Sequence, residues 1–440
     1  MTVPVQDDRR LNTLRWLTQL SIGLIVVGCA VAVAVPAGHR WDFANFYDAG
    51  RRVAAGRMED LYLPGSPIDG GPPQGVMAFW GTPISAALYV PLGWFPPAAA
   101  LVLFKIQNVA AYAVSLVLLF VFYRRFVPDS PLARARFGAL FAFLCLIYQP
   151  FWTVFRVGGQ TTPTVLLLFV LALVWHTQSR FWASAFCIVL ATILKPALAP
   201  ALAVLLAISG LPFFIKAAGW LTAAGVVSVL TMGWPVHAAF LSLMTGGVRD
   251  TFPWQFNSSL YVLIEHLRLA LGTRGETGFL RMLLMALPTG LKLVLLATFA
   301  YLFLQSRRQR WPEAARRHFH VLLAILFFVL WSRTLWDHYL ALLFVPLMYV
   351  VATRPYFSRG AMALIAGIFL LSIGQNLVLT EILHTRLRLE SPGALIAIAL
   401  FKTGPLVLTL TLLWRHGHGL LRSHTAPAWE RDPVAAATRT

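Results

Sequence analysis

Apolar residues in this chain come in long continuous runs rather than in alternation, each close to the length of a membrane-crossing helix. About 20 such residues cross a bilayer as a helix. The runs fall at 16–36, 97–123, 137–153, 162–178, 181–195, 197–213, 217–235, 283–305, 320–333, 338–353, 360–380 and 394–414. They predict an all-α fold, a polytopic transmembrane helical bundle of about twelve spans, with 181–195 and 320–333 short enough to be broken or tilted. The runs argue against a β-barrel, whose strands are shorter and alternate apolar with polar. The stretch 77–95 is apolar but interrupted by Pro83, Pro91 and Gly93, and reads as interfacial or re-entrant. Two connecting segments are long, 37–96 and 236–282, and carry short amphipathic pieces such as SLYVLIEHLRLAL (259–271). Helices of that kind lie in the membrane interface with the apolar face down. Residues 1–414 therefore form one integral-membrane domain, and the Pro/Ala/Arg-rich 415–440 is expected to be a disordered cytoplasmic tail.

Composition fits this picture. Hydrophobic residues make up 58% of the chain and charged residues 12%, about half the charge of a soluble domain. A net charge of +19 would suggest nucleic acid in a soluble protein, but cytoplasmic loops of membrane proteins collect Arg and Lys. Nucleic acid is not an expected partner; the bilayer is. Placing the N-terminus inside gathers Arg9, Arg10, Arg124, Arg125 and the cluster Arg307–Arg317 on the cytoplasmic side, together with both termini. The same sorting puts His318 and His320 in solvated cytoplasmic loops. It leaves only Lys105, Lys292 and Lys402 well inside spans, where they must snorkel or pair. No cleavage site follows the first run, so it reads as an uncleaved helix. Cys29, Cys145 and Cys187 all lie in apolar runs without metal-ligand spacing.

Acidic residues add something that topology does not require. Most of the 17 fall on the outer side, Asp42, Asp48 and Asp337 among them. Asp42 follows the first span and is flanked by Trp41, Phe43, Phe46 and Tyr47. Aromatic neighbours desolvate a carboxylate, raise its pKa and make it a better base near neutral pH. Capping of the following helix is the competing role for Asp42.

The string D-F-x-x-F-Y-x-A-G-R from Asp42, followed by G-R-x-x-D-L-Y from Gly56, resembles the opening loop of glycosyltransferase family 87. Further matching pieces follow in the family's order: Asn108 near the start of the second span, G-Q-T-T-P-T (159–164), I-L-K-P (193–196), F-N-S-S-L (256–260) and S-R-T-L-W-D-H-Y-L (332–340). The chain departs from the family pattern where Thr161 or Thr162 replaces a common Asn and where Ser258 replaces Gln. The family includes polyprenyl-phosphomannose-dependent α-1,2-mannosyltransferases.

This resemblance implies a GT-C-like membrane enzyme in a bacterial plasma membrane, with its site on the extracytoplasmic face. It would move a sugar, mannose by preference, from a polyprenyl-phosphate donor to a lipid-linked or glycan acceptor. Asp42 would be the general base, with Asp48 and Asp337 in reserve, and the outcome a single inverting displacement. Lys195, His338, Arg156 and Arg333, at outer ends of spans, could hold the donor phosphate or snorkel to the interface. Gln160 and Asn257 could bind sugar hydroxyls or cap turns. Tyr47, Trp336, Trp41 and Trp254 could meet sugar rings or anchor the interface. No carboxylate pair has a ligand partner, so neither metal nor cofactor is expected. A secondary transporter or lipid flippase is the alternative, and would carry related halves and mid-membrane charges.

Overall fold

A computed structural model of the chain describes residues 4–35, 41–68, 75–156, 159–247, 257–271, 278–374 and 392–429. Among the described residues the fold is all-helical, with two isolated bridges and no strand. The helices are α1 (Pro4–Ala34), α2 (Trp41–Ala54), α3 (Pro83–Ala87), α4 (Pro97–Arg124), α5 (Pro131–Ile147), α6 (Gln149–Arg156), α7 (Thr162–Thr177), α8 (Phe181–Leu194) and α9 (Ala199–Ile208). They continue as α10 (Leu211–Met232), α11 (Trp234–Gly247), α12 (Leu260–Ala270), α13 (Phe279–Arg308), α14 (Glu313–Trp331), α15 (Phe344–Ala352), α16 (Arg359–Gly374) and α17 (Pro392–Ser423).

Six of these helices are long and apolar enough to cross a membrane, and α5 with α6 makes a seventh if the pair, bent by 42°, is one span. The other expected spans fall on apolar helices too, but short ones: 162–177, 181–194, 196–208, 337–352 and 359–373. At 1.5 Å per residue, a helix of 14 residues such as α8 covers roughly 21 Å, less than a bilayer core. By length and composition six or seven of these segments can each cross on their own, and the five shorter helices do not reach that length.

Local chemistry sets the ends. Pro97 opens α4 and Pro131 opens α5, where the missing N–H costs nothing, and the Ser130 hydroxyl caps α5 by accepting from the Ala133 N–H at 3.1 Å. Pro196 ends α8, because the residue before a proline is driven to an extended conformation; Lys195 accordingly sits at φ −139° and ψ 91°. The centre of the bundle is the 318–330 stretch of α14 together with 337–352, buried on every side and apolar apart from His318, His320, Asp337 and His338, as a core helix is. The rim helices α1, α10 and α13 instead expose side chains such as Val26, Val27, Leu230, Met282 and Leu293, the pattern of a lipid-facing surface.

Several expectations change here. His318 and His320 are not solvated loop residues. Both lie on α14 at 0% and 4% exposure, with His318 Nδ1 3.0 Å from His424 Nε2. Nor is 415–429 a loose tail: α17 runs to Ser423, a turn covers Pro427–Trp429, and Trp429 is buried beneath the Arg125 guanidinium; residues 430–440 lie outside the described residues. The amphipathic helix α12 packs on α13 and α17 instead of lying alone at the interface. The interior lysines pair, Lys105 with the Val35 carbonyl at 2.7 Å and Lys402 with Asp337 at 3.9 Å, while Lys292 lies over the Trp331 ring.

Candidate functional site

Helix α2 lies across the end of the bundle at which α4 and α7 begin, held by contacts that fix its first turn. Phe46 stacks on Tyr89 at 4.9 Å between centroids, and the Tyr47 hydroxyl donates to the Phe95 carbonyl at 2.9 Å. A Cβ on Gly50 would stand 2.4 Å from the Tyr89 carbonyl oxygen, so the helix can approach only because that residue is glycine. Asp48 pairs with Arg52 at 2.7 Å, and Arg52 also donates to the carbonyls of Asp60 and Leu63. This lashes the loop after α2 to the helix. The arrangement turns Phe43 inward against Phe104 of α4, at 5.7 Å, and brings the adjacent Asp42 to the mouth of the bundle.

Three helix breaks meet Asp42 there. Gly159, at φ +97°, makes a left-handed turn open to glycine, and a Cβ on it would strike Phe104 at 2.9 Å. That turn delivers Gln160. The break before Pro196 delivers Lys195, whose ammonium donates to Gln160 Oε1, stands 3.5 Å from His338 Nε2 and lies 4.7 Å above the Tyr339 ring. The break after α14 delivers His338 and Tyr339 on a 3-10 turn, Asp337–Leu343. In a bilayer, irregular backbone survives only where protein or a watery cavity surrounds it. The three breaks bring these polar side chains together at one end of the bundle.

Electrostatics follow from burial. Desolvation raises the Asp42 carboxyl above the ordinary aspartate range, opposed by the charge of Lys195 and a hydrogen bond with Gln160. Burial also lowers Lys195 to about 8, opposed by Asp42. Asp42 is thus disposed to take up a proton, beside a cation that can still lose one. Among the described residues no group of three or more His, Cys, Asp or Glu is placed to hold a metal ion.

The expected residues divide. Asp42, Gln160, Lys195 and His338 come together, and they bring Tyr339, which the sequence reading passed over although it follows His338 directly. Asp48 serves Arg52 instead. Asp337 is turned inward, accepting from the Ser258 hydroxyl and pairing with Lys402. The Asn257 carbonyl oxygen accepts from the N–H of Ser259 and Leu335 at 3.1 and 3.0 Å, and its amide nitrogen donates to the Arg333 carbonyl. Asn257 thus clamps its own segment onto 333–336, where it also bridges Trp336. Tyr47 braces α2. Arg333 is half-buried beyond this clamp. The side chains of Arg156 and Trp41, and all of Trp254, lie outside the described residues.

The sequence model of glycosyltransferase family 87 matches residues 79–332, more than half of the chain. The matched stretch includes Gln160, Lys195 and Asn257 and stops short of Asp42 and His338. No curated protein matches the chain.

Proposed function

Since this chain belongs to glycosyltransferase family 87, we propose that it transfers a sugar, mannose by preference, from a polyprenyl-phosphate donor to a lipid-linked or glycan acceptor at the membrane surface. The family and the apolar helices indicate a multi-pass membrane glycosyltransferase with sugar donor and acceptor substrates. The finer reading rests on one observation: a desolvated carboxylate, Asp42, stands beside Lys195 and Gln160 at the mouth of the bundle, with His338 against Lys195.

In this mechanism an acceptor hydroxyl attacks the anomeric carbon and gives its proton to Asp42. The bond from that carbon to the phosphate oxygen breaks, its electron pair leaving on the lipid phosphate. Lys195 and His338 take up the developing charge, and Gln160 holds the Lys195 ammonium in place. A phosphate leaves as a stabilised anion, so one carboxylate suffices and no general acid is required. A single displacement inverts the anomeric centre. The sorting of basic residues supports an orientation with both termini in the cytoplasm and α2 on the outer face.

The test is transfer from polyprenyl-phosphate sugars by the full chain in proteoliposomes, with Asp42→Asn as the diagnostic variant. Loss of the base lowers the rate by about 10² to 10⁴. Full activity in Asp42→Asn removes that residue from the base role. Solute flux with no transfer from any lipid-linked sugar would favour a transporter.

A further inference from the structure

Asn108 lies at the centre of the buried face of α4, with 0% exposure, and neither its amide nitrogen nor its amide oxygen has a hydrogen-bond partner among the described residues. Leaving both ends of an amide unmade in an apolar interior is costly, and a membrane bundle offers no bulk water to relieve it. Its location says what could. Phe104, one helical turn earlier on the same face, packs on Phe43 at 5.7 Å and closes against the Gly159 turn. Asn108 is therefore one turn beneath the residues that carry Asp42 and Gln160. Gln107 reaches Thr164 at 3.5 Å, which sets this level of α4 beside the first turn of α7. That turn begins with Thr162, whose buried hydroxyl likewise has no partner.

We propose that Asn108, with Thr162, forms the floor of the site and binds hydroxyl groups of the transferred sugar; this rests on the glycosyltransferase reading above. The chemistry selects a sugar over a phosphate. A phosphate oxygen at neutral pH only accepts, and would satisfy the amide N–H while leaving the Asn108 oxygen unpaired. A pair of adjacent hydroxyls donates and accepts, matching both ends of the amide at once. A buried polar site of this kind rejects a ligand that lacks the hydroxyl, because its own groups are then left unpaired.

The experiment compares wild type with Asn108→Leu, an apolar side chain of similar volume, using the full-length protein in detergent. The readout is thermal stabilisation by polyprenyl phosphate and by polyprenyl-phosphomannose. The sugar-bearing ligand is expected to bind wild type more tightly than the bare phosphate, and Asn108→Leu to lose roughly 10- to 100-fold of that advantage. Its affinity for the bare phosphate and its ligand-free melting point do not fall. An unchanged sugar advantage in Asn108→Leu overturns the assignment, as does equal stabilisation of wild type by both ligands. Transfer measured in parallel separates the two claims: a chain that transfers sugar but keeps its sugar advantage without Asn108 refutes this site alone, and one that transfers nothing from any polyprenyl-phosphate sugar refutes the polyprenyl-phosphate donor reading.

Discussion

Replacing Lys195 by methionine removes one charge and keeps a linear side chain of nearly the same length. Lys195 is 8% exposed and lies against Gln160, His338 and the Tyr339 ring. A preorganised donor aimed at developing charge is worth about 10² to 10³ in rate, roughly 3–4 kcal/mol, so the transfer rate of Lys195→Met should fall by that factor. Stability should change far less. The lost contact with the Tyr339 ring, worth about 1–2 kcal/mol, is offset because a buried ammonium no longer has to be desolvated. The pH profile carries the sharper test. In the proposed mechanism Asp42 works deprotonated, so activity should rise with pH through its raised pKa. Lys195 in that mechanism works protonated, so activity should fall as pH passes about 8. Without the lysine charge the Asp42 carboxyl moves higher still, and the acid limb shifts to higher pH. Lys195→Arg keeps its charge beyond about pH 12, so its alkaline limb should recede from that of wild type. Initial transfer rates across pH, alongside thermal unfolding, read all of this. Wild-type kcat/KM in Lys195→Met, or an alkaline limb unmoved in Lys195→Arg, refutes the role given to Lys195.

Other outcomes follow from the supports of the site. Arg52→Ala strands Asp48 and frees the loop at Asp60 and Leu63; breaking a largely buried pair should cost about 3 kcal/mol, seen as a lowered unfolding midpoint and earlier proteolysis between 57 and 68. Gly50→Ala drives a methyl into the Tyr89 carbonyl and should destabilise by about 1–3 kcal/mol, with transfer lost as α2 lifts; unchanged unfolding would contradict the close approach. Trp429→Ala should cost about 3–5 kcal/mol without altering the pH profile, because Trp429 packs beside Arg125, His318 and His424 rather than near Asp42. A variant as stable as wild type would restore the picture of a loose tail.

What the sequence determined by itself was local. Apolar run length located the helices, because burying backbone in lipid demands internal hydrogen bonds, and Pro196 fixed where α8 stops and hence where Lys195 emerges. Order of short motifs pointed to the family and to Asp42, Gln160, Lys195 and His338. Which polar groups face one another depended on the tertiary structure. Lys195 meets Gln160 across 35 positions and His338 across 143, and no periodicity encodes such pairings. The same distance hid the internal use of Asp337 by Lys402, the clamping of Asn257 onto 333–336 and the docking of Trp429. Charge sorting put His318 and His320 in solvated loops because it assigns only a side of the membrane, whereas burial is decided by what packs around a side chain. Asp42 shows both halves: sequence set it beside aromatics at the end of a span, and only the folding of α2 against three helix breaks gave it a lysine and an amide as neighbours, with a histidine behind the lysine.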